Sequence, residues 1–356
     1  MNESVDIMEE KVAITEPKIL SGSQALMECF IQENVDTIFG YPGGAIMPIY
    51  DALYDYIDRI EHILVRHEQG ASHAAEGYAR SSGRVGVCMA TSGPGATNLV
   101  TGIADAIIDC TPMVAITGQV ASNLLGTDAF QETDVIGITA PVCKWNYQIV
   151  DPDEIPAIMA KAFYIARAGK PGPVLIDITK DAQIAMMSKP FEYKKVEGLP
   201  GYHPRKLPKL EQVEKAAELI NTAKKPYILV GHGVLISEAM DEFKELVEKG
   251  DIPVGSTLLG LSALSIEHPN YMGWLGMHGM YAPNVMTDEC DVLIAIGMRF
   301  DDRVTGDAEL FAKQAKIVHI EIDPAEIDKI KRAHAPVIGD AREALKLLNP
   351  LIEKKD

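Results

Sequence analysis

A chain of 356 residues, 47% hydrophobic and 24% charged, has the composition of an ordinary soluble globular protein with room for two or more domains. Its formal net charge of −18 argues against a nucleic-acid backbone or an anionic membrane as partner, and no apolar run approaches the ~20 residues of a membrane span. Five scattered cysteines (Cys29, Cys88, Cys110, Cys143, Cys290) form no Cys-x-x-Cys pair, which excludes a common zinc site and a disulfide framework and fits a reducing, cytoplasmic setting.

Residues 1–16, with Glu3, Asp6, Glu9 and Glu10, have neither the basic start nor the apolar stretch of a signal peptide and read as a flexible tail. From 21 to 34, apolar residues at helical spacing follow Ser21 or Ser23 as N-cap. A short strand at 37–39 ends in Gly40-Tyr41-Pro42-Gly43-Gly44. Helix 45–56, strand 62–66, helix 69–81, strand 85–91, helix 96–109 and strand 113–117 follow, then helix 153–168 and the buried strand 173–178. Such alternation implies a parallel sheet covered on both faces. Pro190, Pro200, Pro204 and Pro208 interrupt the pattern, so 17–188 reads as one domain and 189–209 as a linker. The alternation restarts with helix 211–223, strand 227–231, helix 237–249 and strands 252–256, 292–297 and 317–320, giving a second domain over 210–350. The fold class is therefore α/β, with two doubly wound, Rossmann-like parallel sheets.

Five segments carry candidate chemistry. Glu68, in Arg66-His67-Glu68-Gln69-Gly70-Ala71, stands where a strand ends and a helix begins. Ligands bind at that end of open sheets, and a buried Glu there can act in proton transfer. An acid in the first helical turn also simply complements the macrodipole. Thr91-Ser92-Gly93-Pro94-Gly95-Ala96-Thr97-Asn98 is a strand-to-helix turn whose glycines allow close approach of a ligand, but it lacks the P-loop Lys. The polar loop 126–134, with Phe130 and Gln131, is a candidate site wall or a surface turn. Leu275-Gly276-Met277-His278-Gly279 and the run Gly297 to Gly306, with Arg299, Asp301, Asp302 and Arg303 close together, form either a salt-bridged turn or a clamp for an anion.

In that order, and with Gly118-Gln119-Val120 between them, these motifs closely resemble the large, catalytic subunit of acetohydroxyacid (acetolactate) synthases, a thiamine-diphosphate enzyme family. The resemblance runs from about Pro17 to the last residue. It implies that 17–188 is the pyrimidine-binding domain and 210–350 a central FAD-binding domain. The implied reaction condenses two pyruvates, or pyruvate and 2-oxobutyrate, with loss of carbon dioxide, as in branched-chain amino-acid synthesis. Glu68 matches the Glu that bonds N1′ of the cofactor's aminopyrimidine, a role suited to a buried carboxyl. Gly44 and Ala45 match positions beside the thiazolium, and Phe130, Gln131 and Lys180 match the wall of the entrance. Lys170, Leu275, Gly276, Met277, His278, Gly297, Met298, Arg299, Phe300, Asp301, Glu321, Ile322 and Asp340 match FAD-binding positions. Arg303 matches an Arg that addresses the second 2-oxo acid.

The chain departs from the family pattern in four places. Lys170 stands where an Arg is typical, Ala121 where a Pro is, and Trp145 where a His is. The family's Gly-Asp-Gly motif and Asn pair, which hold Mg²⁺ and the diphosphate in a C-terminal domain, do not occur. Mg²⁺ is therefore expected to enter only through that domain, supplied by another chain or lost by truncation, and this chain alone is expected to be inactive or nearly so. The implied assembly is a homodimer or larger with a regulatory small subunit. The alternatives are a catalytically silent FAD-binding and dimerisation module, or another carboligase or decarboxylase of the superfamily. Glu68 argues against a glyoxylate carboligase, and the 299–306 run against the flavin-free catabolic enzymes.

Overall fold

The computed structural model describes residues 18–204 and 207–354; the expected tail at 1–16 lies outside them. The chain divides into two compact units between Pro200 and Gly201.

The N-terminal unit is built on six strands: β1 (Thr37–Gly40), β2 (Glu61–Leu64), β3 (Gly86–Ala90), β4 (Met113–Gln119), β5 (Trp145–Ile149) and β6 (Pro173–Thr179). All pair in parallel, in the order β2-β1-β3-β4-β6-β5. Every residue of β3, β4 and β6 is buried, as a sheet with helices on both faces requires. Alternate residues serve opposite faces. Val87, Met89, Val114 and Ile116 join Leu26, Phe30 and Phe163 in one core, while Cys88, Ala90, Met113 and Ala115 join Ala71, Leu99 and Ile103 in the other. The first helix, Gly22–Gln32, starts at a capping box between Ser21 and Gln24, so Ser21 rather than Ser23 is the cap.

The second unit holds β7 (Pro226–Val230), β8 (Val254–Ser256), β9 (Tyr271–Trp274), β10 (Val292–Ile296), β11 (Lys316–Glu321) and β12 (Ala335–Ile338). The order β12-β11-β10-β7-β8-β9 is again fully parallel. Counted within the unit it is the 3-2-1-4-5-6 arrangement of dinucleotide-binding folds. Among the described residues no helix is long and apolar enough to cross a membrane.

Three strands escape the sequence reading, each for a local reason. β12 carries Pro336, which only an edge strand tolerates. β9, at the other edge, is bent at Gly273, whose φ is 111°. β5 alternates Trp145 and Tyr147 against the core with Asn146 and Gln148, which make hydrogen bonds on the other face. Helix 96–109 is two helices, Pro94–Asn98 and Val100–Ile108. Between 189 and 209 there is no helix or named strand among the described residues, yet Phe191 and Tyr193 pack on the first core and Tyr193 donates to Glu33 at 2.5 Å. The start of the expected linker thus belongs to the N-terminal unit.

No disulfide joins the five cysteines, and burial pushes the Cys88 and Cys143 thiols up to about 12. A raised thiol pKa keeps the proton on the native state while the unfolded chain releases it. The associated stability is complete below about pH 9 and is lost as pH rises towards 12. Urea unfolding is expected to weaken above pH 9 by ~1 kcal/mol per pH unit for each such thiol, and Cys88→Ala should flatten that alkaline limb.

Candidate functional site

The β1 connection runs to β2 on one side of the sheet, and the β3 connection to β4 on the other. The turns after β1 and β3 therefore part at the carboxyl edge and open a crevice, the usual ligand position in such sheets. The first turn is tightly held. Ala45 N donates to Thr91 Oγ1 at 3.1 Å, and Gln183 Nε2 donates to Ala45 O at 2.9 Å. Glycines allow the contact: a Cβ on Gly43 would lie 2.5 Å from that of Thr91, and one on Gly118 would lie 2.6 Å from Ala45 O. Gly44 is different, because a Cβ there would meet nothing within 4 Å. It faces open space.

Past β2, His67 caps the helix Glu68–Ser82 through Nδ1, which accepts from Gln69 N at 3.1 Å. Glu68 is the first residue of that helix. Its Oε2 accepts from Asn98 Nδ2 at 3.0 Å, and its Oε1 lies 3.4 Å from the point where a Cβ on Gly95 would be. Asn98 closes the Thr91–Asn98 motif, so the turn after β3 clamps the carboxylate that follows β2. The expectation of a buried Glu68 needs correcting. Standing at a helix start on the sheet's open edge, it is only half-buried within this chain.

The second wall is the 126–134 loop. A Cβ on Gly93, whose φ is 59°, would lie 2.6 Å from Gln131 O, so loop and turn are in close backbone contact. The Glu132 carboxylate accepts from the backbone of Gly126, Thr127 and Ala129, and these bonds hold it below the ordinary range. Phe130 is 88% exposed, and Gln131 sits in the left-handed region at φ 58°. Lys180 begins the short helix Lys180–Ile184 at the end of β6, where its N donates to Val120 O at 3.4 Å. Gly44, Ala45, Glu68, Phe130, Gln131 and Lys180 thus share one edge of one sheet. Lys170 does not. It lies between helix Ile155–Arg167 and β6, at the opposite edge.

In the second unit the connections reverse between β7 and β10. There Gly233 N donates to Gly297 O at 2.9 Å, and a Cβ on Gly231 would lie 2.3 Å from that oxygen. The turn Gly231-His232-Gly233 was not among the sequence candidates, although a G-x-G after a buried strand is a signal for it. Leu275, Met298 and Phe300 bury their side chains in the core, while Met277 and His278 are exposed and Arg299 is half-buried. Three acids stand at or beyond the ends of three successive strands. Asp301 accepts from Arg303 N and Val304 N at 2.9 and 3.1 Å. Glu321, buried, accepts from Ile322 N and Asp323 N at 3.0 and 3.1 Å. Asp340 caps Ala341–Leu348, accepting from Arg342 N and Glu343 N at 3.0 and 3.2 Å. Met277 N bonds to Arg303 O, and the Arg303 side chain is 70% exposed, 3.8 Å from Asp302. Among the described residues, His73, Glu76 and Asp105 are close enough to share a metal ion, but Glu76 already pairs with Arg80 at 2.7 Å.

Two family models match the chain. Residues 20–138 match the thiamine pyrophosphate enzyme N-terminal TPP binding domain, and residues 213–348 match the thiamine pyrophosphate enzyme central domain. The acetolactate synthase large subunit of Corynebacterium glutamicum is 53% identical over 329 residues, 92% of this chain and 52% of that protein. A probable acetolactate synthase large subunit of Methanocaldococcus jannaschii is 52% identical over 94% of this chain and 56% of its own length. The acetolactate synthase isozyme 2 large subunit of Escherichia coli is 47% identical over 95% and 60%. The chain spans little more than half the length of these relatives.

The close approach at Gly118 can be tested. Gly118→Ala is expected to push Ala45 away, to cost about 1–3 kcal/mol in denaturant unfolding, and to raise amide exchange over 43–47.

Proposed function

The chain belongs to the thiamine pyrophosphate enzymes, of which it carries the N-terminal TPP binding domain and the central domain, and on that premise we propose that it is the Glu68-bearing part of an acetolactate synthase. The proposed reaction joins two pyruvates into 2-acetolactate with release of carbon dioxide, or pyruvate and 2-oxobutyrate into the homologous acid. The observation that carries this reading is the Glu68 carboxylate, clamped by Asn98 beside Gly95 at the mouth of the β1/β3 crevice.

The residues present fit thiamine diphosphate. Gly95 lets the turn after β3 pass close to Thr91 and Glu68, where a Cβ would lie 2.7 Å from Thr91 Cγ2 and 3.4 Å from Glu68 Oε1, and Gly44 opens onto empty space. When bound, this cofactor supplies the electron sink for decarboxylation. Glu68 would hold the proton at N1′ of the aminopyrimidine, with Asn98 fixing Oε2 and leaving Oε1 to the ligand. Gly44 and Ala45 leave room for a small 2-oxo acid, and Phe130, Gln131 and Lys180 wall its entrance. Arg303, with an exposed guanidinium, is a cation able to hold a carboxylate bidentately. In a chain of net charge −18, such a local cation is what an anionic substrate needs.

We assign FAD to the central domain, supported by the 3-2-1-4-5-6 order and by the Gly231/Gly297 turns at its switch point. Its contacts would come from Leu275 to His278, Gly297 to Asp301, Glu321, Ile322 and Asp340. Mg²⁺ and the diphosphate are assigned to a C-terminal domain, on this polypeptide or another. The large-subunit names of the relatives support a regulatory small subunit as partner of a homodimer or larger assembly.

Acetolactate formation from pyruvate, with thiamine diphosphate, Mg²⁺ and FAD, tests the reading, using this chain alone and with a relative's C-terminal domain. Turnover is expected in the mixture, and Glu68→Gln should lower it at least ~100-fold while flavin binding persists. Flavin binding without turnover in either case would instead favour the silent FAD-binding module.

A further inference from the structure

Outside the crevice, one buried acid is used by no step above. Asp177 lies in the middle of β6, is 0% exposed, and pairs in register with Thr117 of β4 and Gln148 of β5. Its Oδ1 accepts from Thr117 Oγ1 at 2.6 Å, and its Oδ2 accepts from Gln148 Nε2 at 2.8 Å and Gln119 Nε2 at 3.1 Å. Among the described residues no Lys, Arg or His forms an ion pair with it. Burial pushes the carboxyl up, and the acidic Asp134 adds to the effect, against the three hydrogen bonds. An apolar residue would serve β6 at lower cost, since isolated buried acids are expensive.

What the acid supplies is polarity. Its Oδ2 only accepts, whether or not the other oxygen carries a proton, so both glutamines must turn their NH₂ groups towards it. This fixes the Gln119 amide. Its Oε1 then accepts from Val120 N at 2.9 Å, and its Nε2 also donates to Thr133 O at 3.0 Å. Thr133 belongs to the 126–134 loop, which Glu132 already ties into a rigid bracket. The bracket bears Phe130 and Gln131 and rests on Gly93.

We propose that Asp177 is a positioning residue: by orienting Gln119 it tethers the 126–134 loop to the sheet and so sets where Phe130 and Gln131 stand over the entrance. The proposal rests on the acetolactate synthase reading for the identity of the substrate, though not for the tether itself. It places the effect on 2-oxo acid handling and leaves the Glu68–Asn98 clamp untouched.

Three variants test it. Gln119→Leu cuts the tether and leaves Asp177 in place. Asp177→Leu removes the acceptor. Asp177→Asn keeps it, because one carbonyl oxygen can take both amides while the NH₂ donates to the Thr117 hydroxyl. Hydrogen exchange on the chain is expected to rise about tenfold over 126–134 in Gln119→Leu and Asp177→Leu, with β4 and β6 still protected, and to stay at the parent level in Asp177→Asn. In the assembled, active enzyme, the Leu variants should raise KM for pyruvate severalfold with a smaller change in kcat, and Asp177→Asn should restore the parent value. Unchanged exchange in Gln119→Leu overturns the tether, even if Asp177→Leu fails to fold. Raised exchange with unchanged KM and kcat overturns the positioning role. If the parent enzyme makes no acetolactate, the reaction reading fails, and exchange alone still decides the tether.

Discussion

Where the turns after β1 and β3 part, the backbone at Gly43 is pressed against the side chain of Thr91, whose oxygen takes the Ala45 N–H at 3.1 Å. This contact sets the width of the crevice. It also sends the β3 turn towards the helix that begins at Glu68, so that Asn98 reaches the carboxylate at 3.0 Å. The floor under Ala45 is Gly118, and the strap across it is Gln183, whose amide bonds to both Ala45 O and Ile178 O. Each element is small or doubly bonded because the strands leave no space for another arrangement. A parallel sheet ends all its strands at one edge, and the close approach at Gly43 turns that edge into a site.

The second unit solves the same problem with backbone alone. At its switch point Gly231, Gly233 and Gly297 meet with separations that admit no side chain, and the acids at or beyond the ends of β10, β11 and β12 spend oxygens on backbone N–H groups of their own turns. Those carboxylates therefore shape the rim of the crevice first. A ligand there would meet backbone and preformed turns, as it does in dinucleotide-binding folds of this strand order.

Much of this was legible in the sequence. Alternating apolar runs and short glycine turns gave the two parallel sheets, and the position of Glu68 between a strand and a helix put it at the ligand-binding edge. What was hidden was carried by residues whose local signals point elsewhere. Asn146 and Gln148 disguise β5 because their polar groups are consumed inside the sheet. Pro336 disguises β12 because an edge strand can spare the N–H. The pairing of Glu68 with Asn98 spans 30 residues and depends on the order of β1, β2 and β3, which no local pattern encodes. Lys170 was expected at a FAD-binding position by resemblance alone, and the chain direction puts it at the far edge from Glu68.

Glu68 is only half-buried within this chain. Proton transfer inside an enzyme needs a site from which water is excluded, since a carboxylate shared with solvent neither holds a ligand's proton nor discriminates its geometry. The N-terminal domain supplies the position, the clamp and two walls, but leaves the acid half in water and Phe130 88% exposed. On the proposed reading, such a pocket would be closed over by its ligand and a covering protein surface. That division follows from the sheet itself: its carboxyl edge can orient groups at a crevice, but it cannot roof them.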